Sequence, residues 1–282
     1  MMQFKTIYLN GCSFMWGVGH SNPSVFKYFE ETKNIDTSHI EYFTGKTLFN
    51  NYDWVRQDIN ISGRLKKHYN DFKIIDESIY GGSLQRVVRK TYNWIFNNDK
   101  QAKETLFILE WPIGVRNEIY IPLQQRYVNY TANFDNFDNI DPYLHRLMIN
   151  EIAPNFFSGG IAFSEDLQSF VGLLSYIKSI GGQYLILLDE FPFDSISEET
   201  TKYVSAHQIK NILNDVIVSN AVVFTKDDKT TRSMIEYYRE YENATFTLDT
   251  ENELVDDHNS IRGSRLIVEQ LIRNIKNKYE IN

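Results

Sequence analysis

Four short apolar segments that alternate with helical patterns predict a three-layer α/β/α sandwich with a mainly parallel central sheet. Each segment is about five to seven residues long and lacks polar alternation, as is typical of parallel strands covered on both faces. The segments are Thr6 to Asn10, Phe72 to Asp76, Thr105 to Glu110 and Gln183 to Asp189, with Ala221 to Phe224 as a fifth candidate. Strands that alternate with helices in this way indicate an α/β domain.

The helices are predicted from apolar residues that recur on one face. The pattern is clear in Ser83 to Phe96, where Leu84, Val87 and Val88 share a face with later apolar positions. The other predicted helices are Asp166 to Ile180, which Gly181 and Gly182 close as a C-cap, Tyr203 to Val218, and Ile261 to Tyr279.

The chain has 282 residues, which is enough for one large α/β domain with a sizeable core. Two polar and aromatic stretches, around 21–64 and 116–164, interrupt the alternation and are predicted to be long loop insertions. No internal repeat or proline-rich linker divides the sequence. Residues 1–282 are therefore expected to form a single domain with decorated loops.

Composition disfavours several classes of partner. The formal net charge of -8 disfavours a broad electrostatic contact with nucleic acid or an anionic membrane. The single cysteine, Cys12, excludes an intrachain disulfide and a multi-cysteine metal site. Without a signal-like segment, an apolar run of membrane-spanning length or a histidine-rich metal motif, we expect a cytoplasmic protein with no metal or cofactor. The oligomeric state stays open.

A serine follows the end of the first predicted strand. Gly11 ends the apolar run and Ser13 lies two residues later, at the sheet edge where sites form in parallel α/β folds. Ser13 is either the N-cap of a following helix or a nucleophile held on a tight turn.

A serine nucleophile needs a base and an acid that orients the base. His258 is the best candidate base, because Asn259 and Ser260 can cap the final helix and place it on a structured turn. Asp256 lies two residues before it. The alternative is a solvated acidic loop that contains an incidental histidine.

In combination these segments resemble the ordered sequence blocks of SGNH (GDSL-like) hydrolases, whose fold is flavodoxin-like. Gly11-Cys12-Ser13-Phe14 with Gly17 is similar to the block that carries the nucleophile, with Cys12 at the position of the family's usual aspartate. Divergent branches of the family share this Gly-Cys-Ser-Phe form.

Two further blocks follow in family order. Ser78 to Ser83 resembles the second block, in which the N–H of Gly82 would bind the oxyanion, although a plain strand-to-helix turn has the same pattern. Asp256 to Ser260 resembles the last block. The commoner form has aspartate three residues before the histidine, a position that Val255 occupies here.

The third block departs from the family pattern. After Glu110 the family has an asparagine in register, whereas this chain continues with Trp111 and Pro112, and Asn117 is the nearest asparagine. Two backbone donors could form the oxyanion hole alone, or Asn117 or Arg116 could turn into the site. Pairing of Arg116 with Glu118 as a structural clamp is the interpretation that we favour. Trp111, at the strand end, is an expected substrate contact.

The resemblance implies a serine esterase that uses Ser13, His258 and Asp256 through an acyl-enzyme, a carboxylic ester hydrolase. The expected substrate is a small-molecule or glycan ester from which an acetyl or similar acyl group is removed. The sugar preference comes from the aromatic content of 15%, although those rings could instead pack the core. Two alternatives stay open: an inactive scaffold for glycan binding or assembly, and an acyltransferase with the same triad.

Overall fold

The computed structural model describes residues 4–12, 30–32, 34, 60–79, 82–112, 116–121, 125–131, 159–189, 206–241, 246–248, 254–259 and 261–279. In 254–259, and in most of 116–131, it describes the path of the backbone alone. The strands are β1 (Thr6–Asn10), β2 (Lys73–Asp76), β3 (Thr105–Trp111), β4 (Arg116–Ile121), β5 (Arg126–Thr131), β6 (Gln183–Leu188), β7 (Phe224–Lys226), β8 (Lys229–Thr231), β9 (Phe246–Leu248) and β10 (Leu254–Asn259).

Helices of very different length accompany these strands. They are α1 (Ile61–His68), α2 (Leu84–Asn97), α3 (Asp99–Ala102), α4 (Gly159–Ser179), α5 (Ala206–Ile212), α6 (Met234–Tyr241) and α7 (Ile261–Tyr279). A π-helical turn, Leu213–Ile217, and a 3-10 turn, Val218–Asn220, continue α5.

Four strands form a parallel sheet in the order β2-β1-β3-β6. The chain moves from β1 to β2 on one side and then returns to β3 on the other side of β1. This reversal creates a topological switch point between β1 and β3, the place where doubly wound sheets bind their ligands.

Each face of the sheet carries its own apolar core, because alternate residues of the strands point to opposite faces. On one face, Ile7, Leu9 and Ile108 belong to a buried cluster with residues of α1 and α7. On the other face, Tyr8 and Phe107 belong to a cluster with residues of α2, α4 and α5. The predicted three-layer α/β/α sandwich with a parallel central sheet is therefore confirmed.

The four strong strand predictions and the helix predictions over α2 and α7 are confirmed, with shifts of one residue at several ends. The fifth strand prediction is wrong as a sheet strand. Ala221 makes one isolated parallel bridge to Ile186. Beyond it, the N–H and C=O groups of Val223 bond to the side-chain amide of Asn274 on α7, at 2.9 and 2.8 Å. The Val222 N–H still donates to the Ile186 carbonyl at 2.8 Å, so the segment touches β6 without forming a full strand of the sheet, and Phe224 begins β7.

The second predicted insertion is not all loop. Strands β4 and β5 pair as an antiparallel hairpin between Arg116 and Thr131, and α4 begins at Gly159 rather than Asp166. The two hairpin strands are rich in β-branched and aromatic residues, which favour strands despite the polar surroundings. The end of the first predicted insertion lies in α1, and most of both stretches lies outside the described residues.

No helix in the described part of the chain combines the length and the apolar character that crossing a membrane requires.

The carboxyl end of β1 is held to α2 through the fully buried side chain of Asn10. Its amide nitrogen donates to the Val87 carbonyl and the Thr91 hydroxyl, each at 3.0 Å, and contacts the Tyr8 hydroxyl at 3.3 Å. Its amide oxygen accepts from the Arg86 guanidinium at 3.2 Å. One side chain thus fixes the helix that follows β2 against the strand that precedes the switch point.

We expect Asn10→Ala to lower the free energy of unfolding by about 2–4 kcal/mol, because several buried polar groups lose their partner at once. Urea denaturation followed by circular dichroism measures the change. The control is Asn97→Ala, on the exposed end of α2, where the side chain makes one bond to the Asn93 carbonyl. A loss in Asn10→Ala no larger than in the control would contradict the role of Asn10.

Candidate active site

The turn after β1 enters the interior of the protein instead of passing over its surface. Cys12 is fully buried at the carboxyl edge of the sheet. Its backbone N–H donates to Glu110 Oε2 at 2.6 Å, and its thiol donates to Glu110 Oε1 at 2.8 Å. The thiol also lies 3.6 Å from Asp189 Oδ2. Residues from the ends of β1, β3 and β6 therefore meet at the switch point.

Gly82 packs directly against this turn. A Cβ atom at position 82 would lie 2.8 Å from the Gly11 carbonyl oxygen, 3.2 Å from the Ile79 carbonyl oxygen and 3.4 Å from Cys12 Cα. Such approaches exclude a side chain, so glycine is required by packing. The N–H of Gly82 donates to the Ile79 carbonyl at 3.1 Å, so in this structure it is engaged within its own turn.

Helix α2 begins beside the same turn. Ser83 is its N-cap, with extended backbone angles, and its hydroxyl accepts from the Arg86 N–H at 3.1 Å. Ser83 is fully buried, as is Gly82 before it. The amino end of a helix carries partial positive charge, so this edge of the sheet favours an anion.

Helix α7 connects the two edges of the sheet. At its carboxyl end, the Tyr279 hydroxyl donates to the Tyr184 carbonyl at 3.0 Å, and the Tyr279 ring packs edge-on against Phe4 at 5.6 Å. Both contacts lie where the strands begin. The 19 residues of α7 extend over about 28 Å, longer than any strand of the sheet, so its first residue, Ile261, lies near the carboxyl edge.

The predicted acid and base lie on a strand rather than in a turn. Asp256 and His258 belong to β10, in which Asp256 pairs with Thr247 of β9. Strand β10 ends at Asn259, two residues before Ile261 begins α7, and the fold thereby brings this segment toward the edge that carries Cys12. Their side chains, like all of Ser13, lie outside the described residues, so the triad stays a prediction.

The described contacts of Trp111 are with the core. It is the last residue of β3, only 7% exposed, and its ring packs edge-to-face on Phe170 of α4 with centroids 5.3 Å apart. The buried ring stabilises the α2 and α4 face of the core. The substrate contact expected at Trp111 stays a prediction.

The hairpin of β4 and β5 is joined to α2 close to this edge. Arg89 Nε and Nη2 each contact a carboxylate oxygen of Glu118 at 2.6 Å, a bidentate ion pair, and the Glu118 N–H donates to Gln85 Oε1 at 2.8 Å. Glu118 thus has Arg89 as its partner, where the sequence favoured Arg116. The side chains of Arg116 and Asn117 lie outside the described ones, although both residues begin β4.

Asp166 of α4 joins the same polar region. Burial, opposed by a hydrogen bond from Gln85 and reinforced by the charge of Glu165, raises the pKa of Asp166 to about 7. Its protonation therefore changes near neutral pH, beside the residue that fixes β4.

Within the described residues, one group has the chemistry of metal ligands: Cys12, Glu110 and Asp189, whose candidate ligand atoms all lie within 4.8 Å of one another. Hydrogen bonds from Cys12 to the two carboxylates account for the arrangement. The sequence interpretation missed Glu110 and Asp189 as site residues. The available signal was a carboxylate directly after the apolar run of a buried strand.

No protein-family model and no curated protein match this chain. Solved structures resemble it weakly. They include the esterase EstA from a Pseudoalteromonas species (9% identity, 98% of this chain and 100% of that chain covered, TM-score 0.45). The α/β hydrolase LAE5 from the metagenome of Lake Arreo gives 8% identity, 97% and 95% coverage, and a TM-score of 0.46. The acetylxylan esterase Axe2 from Geobacillus stearothermophilus gives 9% identity, 98% and 95% coverage, and a TM-score of 0.41. Because these scores are low, the assignment of the fold rests on the sheet itself.

We expect Gly82→Ala to destabilise the protein by about 1–3 kcal/mol, because the added methyl group must displace the Gly11 carbonyl. Thermal unfolding measures the loss. Gly172→Ala is the matched control: its Cβ would meet only the Tyr92 hydroxyl, at 3.8 Å, in the middle of α4, where alanine favours the helix. Equal effects of the two substitutions would refute the close approach at position 82.

The raised pKa of Asp166 predicts a stability that falls as pH rises. The folded protein holds a proton on Asp166 up to about pH 7, whereas the unfolded chain releases it near the ordinary value of 3.8. This contribution is fully present below pH 3.8 and is lost as pH rises through 7.

We therefore expect Asp166→Asn to be about as stable as the wild-type protein at pH 4, and more stable by on the order of 1–3 kcal/mol at pH 8. Urea denaturation at both pH values provides the measurement. A stability difference that is the same at both pH values would contradict the assignment.

Proposed function

We propose that the protein is a serine ester hydrolase of the SGNH type, in which Ser13 is the nucleophile, His258 the base and Asp256 the residue that orients the base. The observation that supports this most directly is the buried turn at Gly11 and Cys12. It lies at the switch point of a parallel sheet and is held by Glu110 and Gly82. The next residue, Ser13, follows this turn at the edge where such folds carry chemistry.

In the proposed reaction, Ser13 attacks the acyl carbonyl while His258 accepts the hydroxyl proton. The oxyanion that forms collapses with release of the alcohol, to which His258 returns the proton. Water then attacks the acyl-enzyme by the same route in reverse, and the acid leaves. Asp256 holds the imidazole in the tautomer that can accept the proton.

The oxyanion hole of this proposal relies on the first turn of the site. The N–H of Ser13 is one donor, and the amino end of α2 contributes partial positive charge beside the turn. Gly82 is the second donor of this proposal. Its N–H bonds to the Ile79 carbonyl in this structure and must leave that carbonyl before it can bind the oxyanion. Loss of one donor typically costs about 10²–10³ in rate, so turnover with fewer donors is expected to be slow.

The proposed substrate is a carbohydrate ester with a small acyl group. With Trp111 in the core, this preference rests on other rings. Tyr127, on the hairpin beside α2, is 47% exposed and stacks on the Arg89 guanidinium at 3.8 Å. The face of the Tyr127 ring opposite Arg89 would suit the apolar face of a pyranose.

Two other functions fit the scaffold and are separable by experiment. An inactive glycan-binding protein would leave Ser13 unreactive toward a fluorophosphonate probe, which labels only an activated serine. An acyltransferase would label, but it would pass the acyl group to an added sugar acceptor in preference to water. Product analysis with and without the acceptor separates transfer from hydrolysis.

We expect Ser13→Ala to lower the hydrolysis of p-nitrophenyl acetate by at least about 10³-fold and to abolish fluorophosphonate labelling, because the variant has no nucleophile. Ser179→Ala is the control. Ser179 ends α4 at the opposite edge of the sheet, where its exposed hydroxyl bonds to the Tyr176 carbonyl. Unchanged turnover in Ser13→Ala would sink the assignment of the nucleophile.

A further inference from the structure

We propose that Glu110 is a positioning residue for the nucleophile: its buried carboxylate fixes the peptide bond between Gly11 and Cys12, and through it the direction in which the chain reaches Ser13. The inference rests on the proposed function, since it assigns Glu110 a part in presenting Ser13. It goes beyond the triad, because it assigns Glu110 a role through its bonds to Cys12.

The N–H side of this peptide is held by the third strand. The parallel ladder between β1 and β3 ends at the pair of Asn10 and Leu109. Glu110 is the next residue of β3, where its backbone is paired with Leu187 of β6. Its Oε2 atom accepts the Cys12 N–H at 2.6 Å, so a side chain on a rigid strand takes over where the backbone ladder stops.

The carbonyl side of the same peptide is held by the segment after β2. The Gly11 carbonyl accepts the Ile79 N–H at 3.2 Å, and Gly82 packs against it closely enough to exclude a side chain. The peptide plane is therefore fixed from both sides, by groups that belong to two different neighbours of β1. Rotation of this plane, which would change the direction in which the chain leaves Cys12, must break a buried hydrogen bond.

The Cys12 thiol is the second attachment of the turn to Glu110. Both side chains are fully buried, and the thiol donates to Glu110 Oε1 at 2.8 Å with Asp189 Oδ2 at 3.6 Å. A buried thiol that donates to carboxylates is an inert structural group and not a competing nucleophile. The Glu110 carboxylate thus accepts hydrogen bonds from both the N–H and the thiol of Cys12. Two bonds between the same two residues fix their relative orientation better than one bond does.

This arrangement has a consequence for the rate. A nucleophile that is displaced by about 1 Å loses on the order of 10² in rate, because the attack geometry is no longer prepared before the substrate binds. We expect the loss on kcat, with KM nearly unchanged, because the proposed role of Glu110 acts through its bonds to the N–H and thiol of Cys12.

The test compares Glu110→Gln with the wild-type protein and with Glu104→Gln. Glutamine keeps the size of the side chain and one acceptor, but it turns an N–H group toward a donor of Cys12. Glu104 is the matched control, an exposed residue before the other end of β3 that pairs with Lys5 at 2.9 Å. The readouts are kcat and KM for p-nitrophenyl acetate, the rate of fluorophosphonate labelling, and circular dichroism of the folded state.

We expect Glu110→Gln to fold, to lose about 10- to 100-fold in kcat and in labelling rate, and to keep KM within about twofold. The single thiol gives an independent readout: Cys12 should react at least about tenfold faster with a disulfide reagent once the turn is released. Glu104→Gln should match the wild-type protein in all of these measurements.

Cys12 provides a second pair of variants that does not depend on the folding of Glu110→Gln. Cys12→Ser keeps a donor toward Glu110 and should remain within about twofold of wild-type kcat. Cys12→Ala, of similar size but without a donor, should lose about three- to tenfold. Equal kcat values in these two variants would overturn the role of the thiol bond.

The remaining outcomes separate the two proposals. If the wild-type protein labels and turns over, and folded Glu110→Gln does the same with unchanged kcat or with a change in KM alone, the positioning role is wrong while the proposed function stands. If the wild-type protein itself neither labels nor hydrolyses the ester, the proposed function fails and the positioning role fails with it.

Discussion

The carboxyl end of β1 is sealed from solvent, so every polar group there must find its partner inside the protein. This constraint organises the rest of the described structure. The Asn10 side chain bonds to α2, and the Cys12 N–H bonds to Glu110 on β3. An unmade buried hydrogen bond costs about 1–3 kcal/mol, whereas a made one contributes less, so these contacts act mainly by excluding other arrangements. Two strands and a helix are therefore fixed around one short turn.

The sequence predicted the sheet well because its strands are buried on both faces and appear as unbroken apolar runs. It predicted the hairpin of β4 and β5 poorly, since the residues around it are polar and, in the described part of the chain, these two strands pair with each other and not with the central sheet. The sequence also predicted a strand over Ala221 to Phe224. The apolar character of this segment reflects its burial near α7, where the backbone of Val223 bonds to Asn274. Trp111 was predicted to contact substrate from its position at a strand end, and the sequence did not foresee that its ring packs on Phe170.

The sequence likewise predicted some residues of the candidate site and missed others. Short-range pattern was sufficient to find the Gly11 turn and Gly82, which the structure brings into contact. It was insufficient for Glu110, which acts through a partner 98 residues away in sequence. Such long-range polar pairs leave no periodic signal, and a lone carboxylate after an apolar run reads as the end of a strand. Asp256 and His258 show the converse, because they were found as a motif, while their strand pairing with β9 was not foreseen.

Helix α7 packs on one face of the sheet together with α1, in the cluster that holds apolar residues of β1 and β3. Its partners are therefore made early in synthesis and α7 itself late. Until residues 261–279 leave the ribosome, the cluster that contains Ile7, Leu9 and Ile108 lacks the apolar side chains of α7, and the growing chain exposes part of this surface. Contacts between such distant segments also slow folding, because a large loop must close first. A layer assembled from segments so far apart in the sequence therefore stays incomplete until late in synthesis.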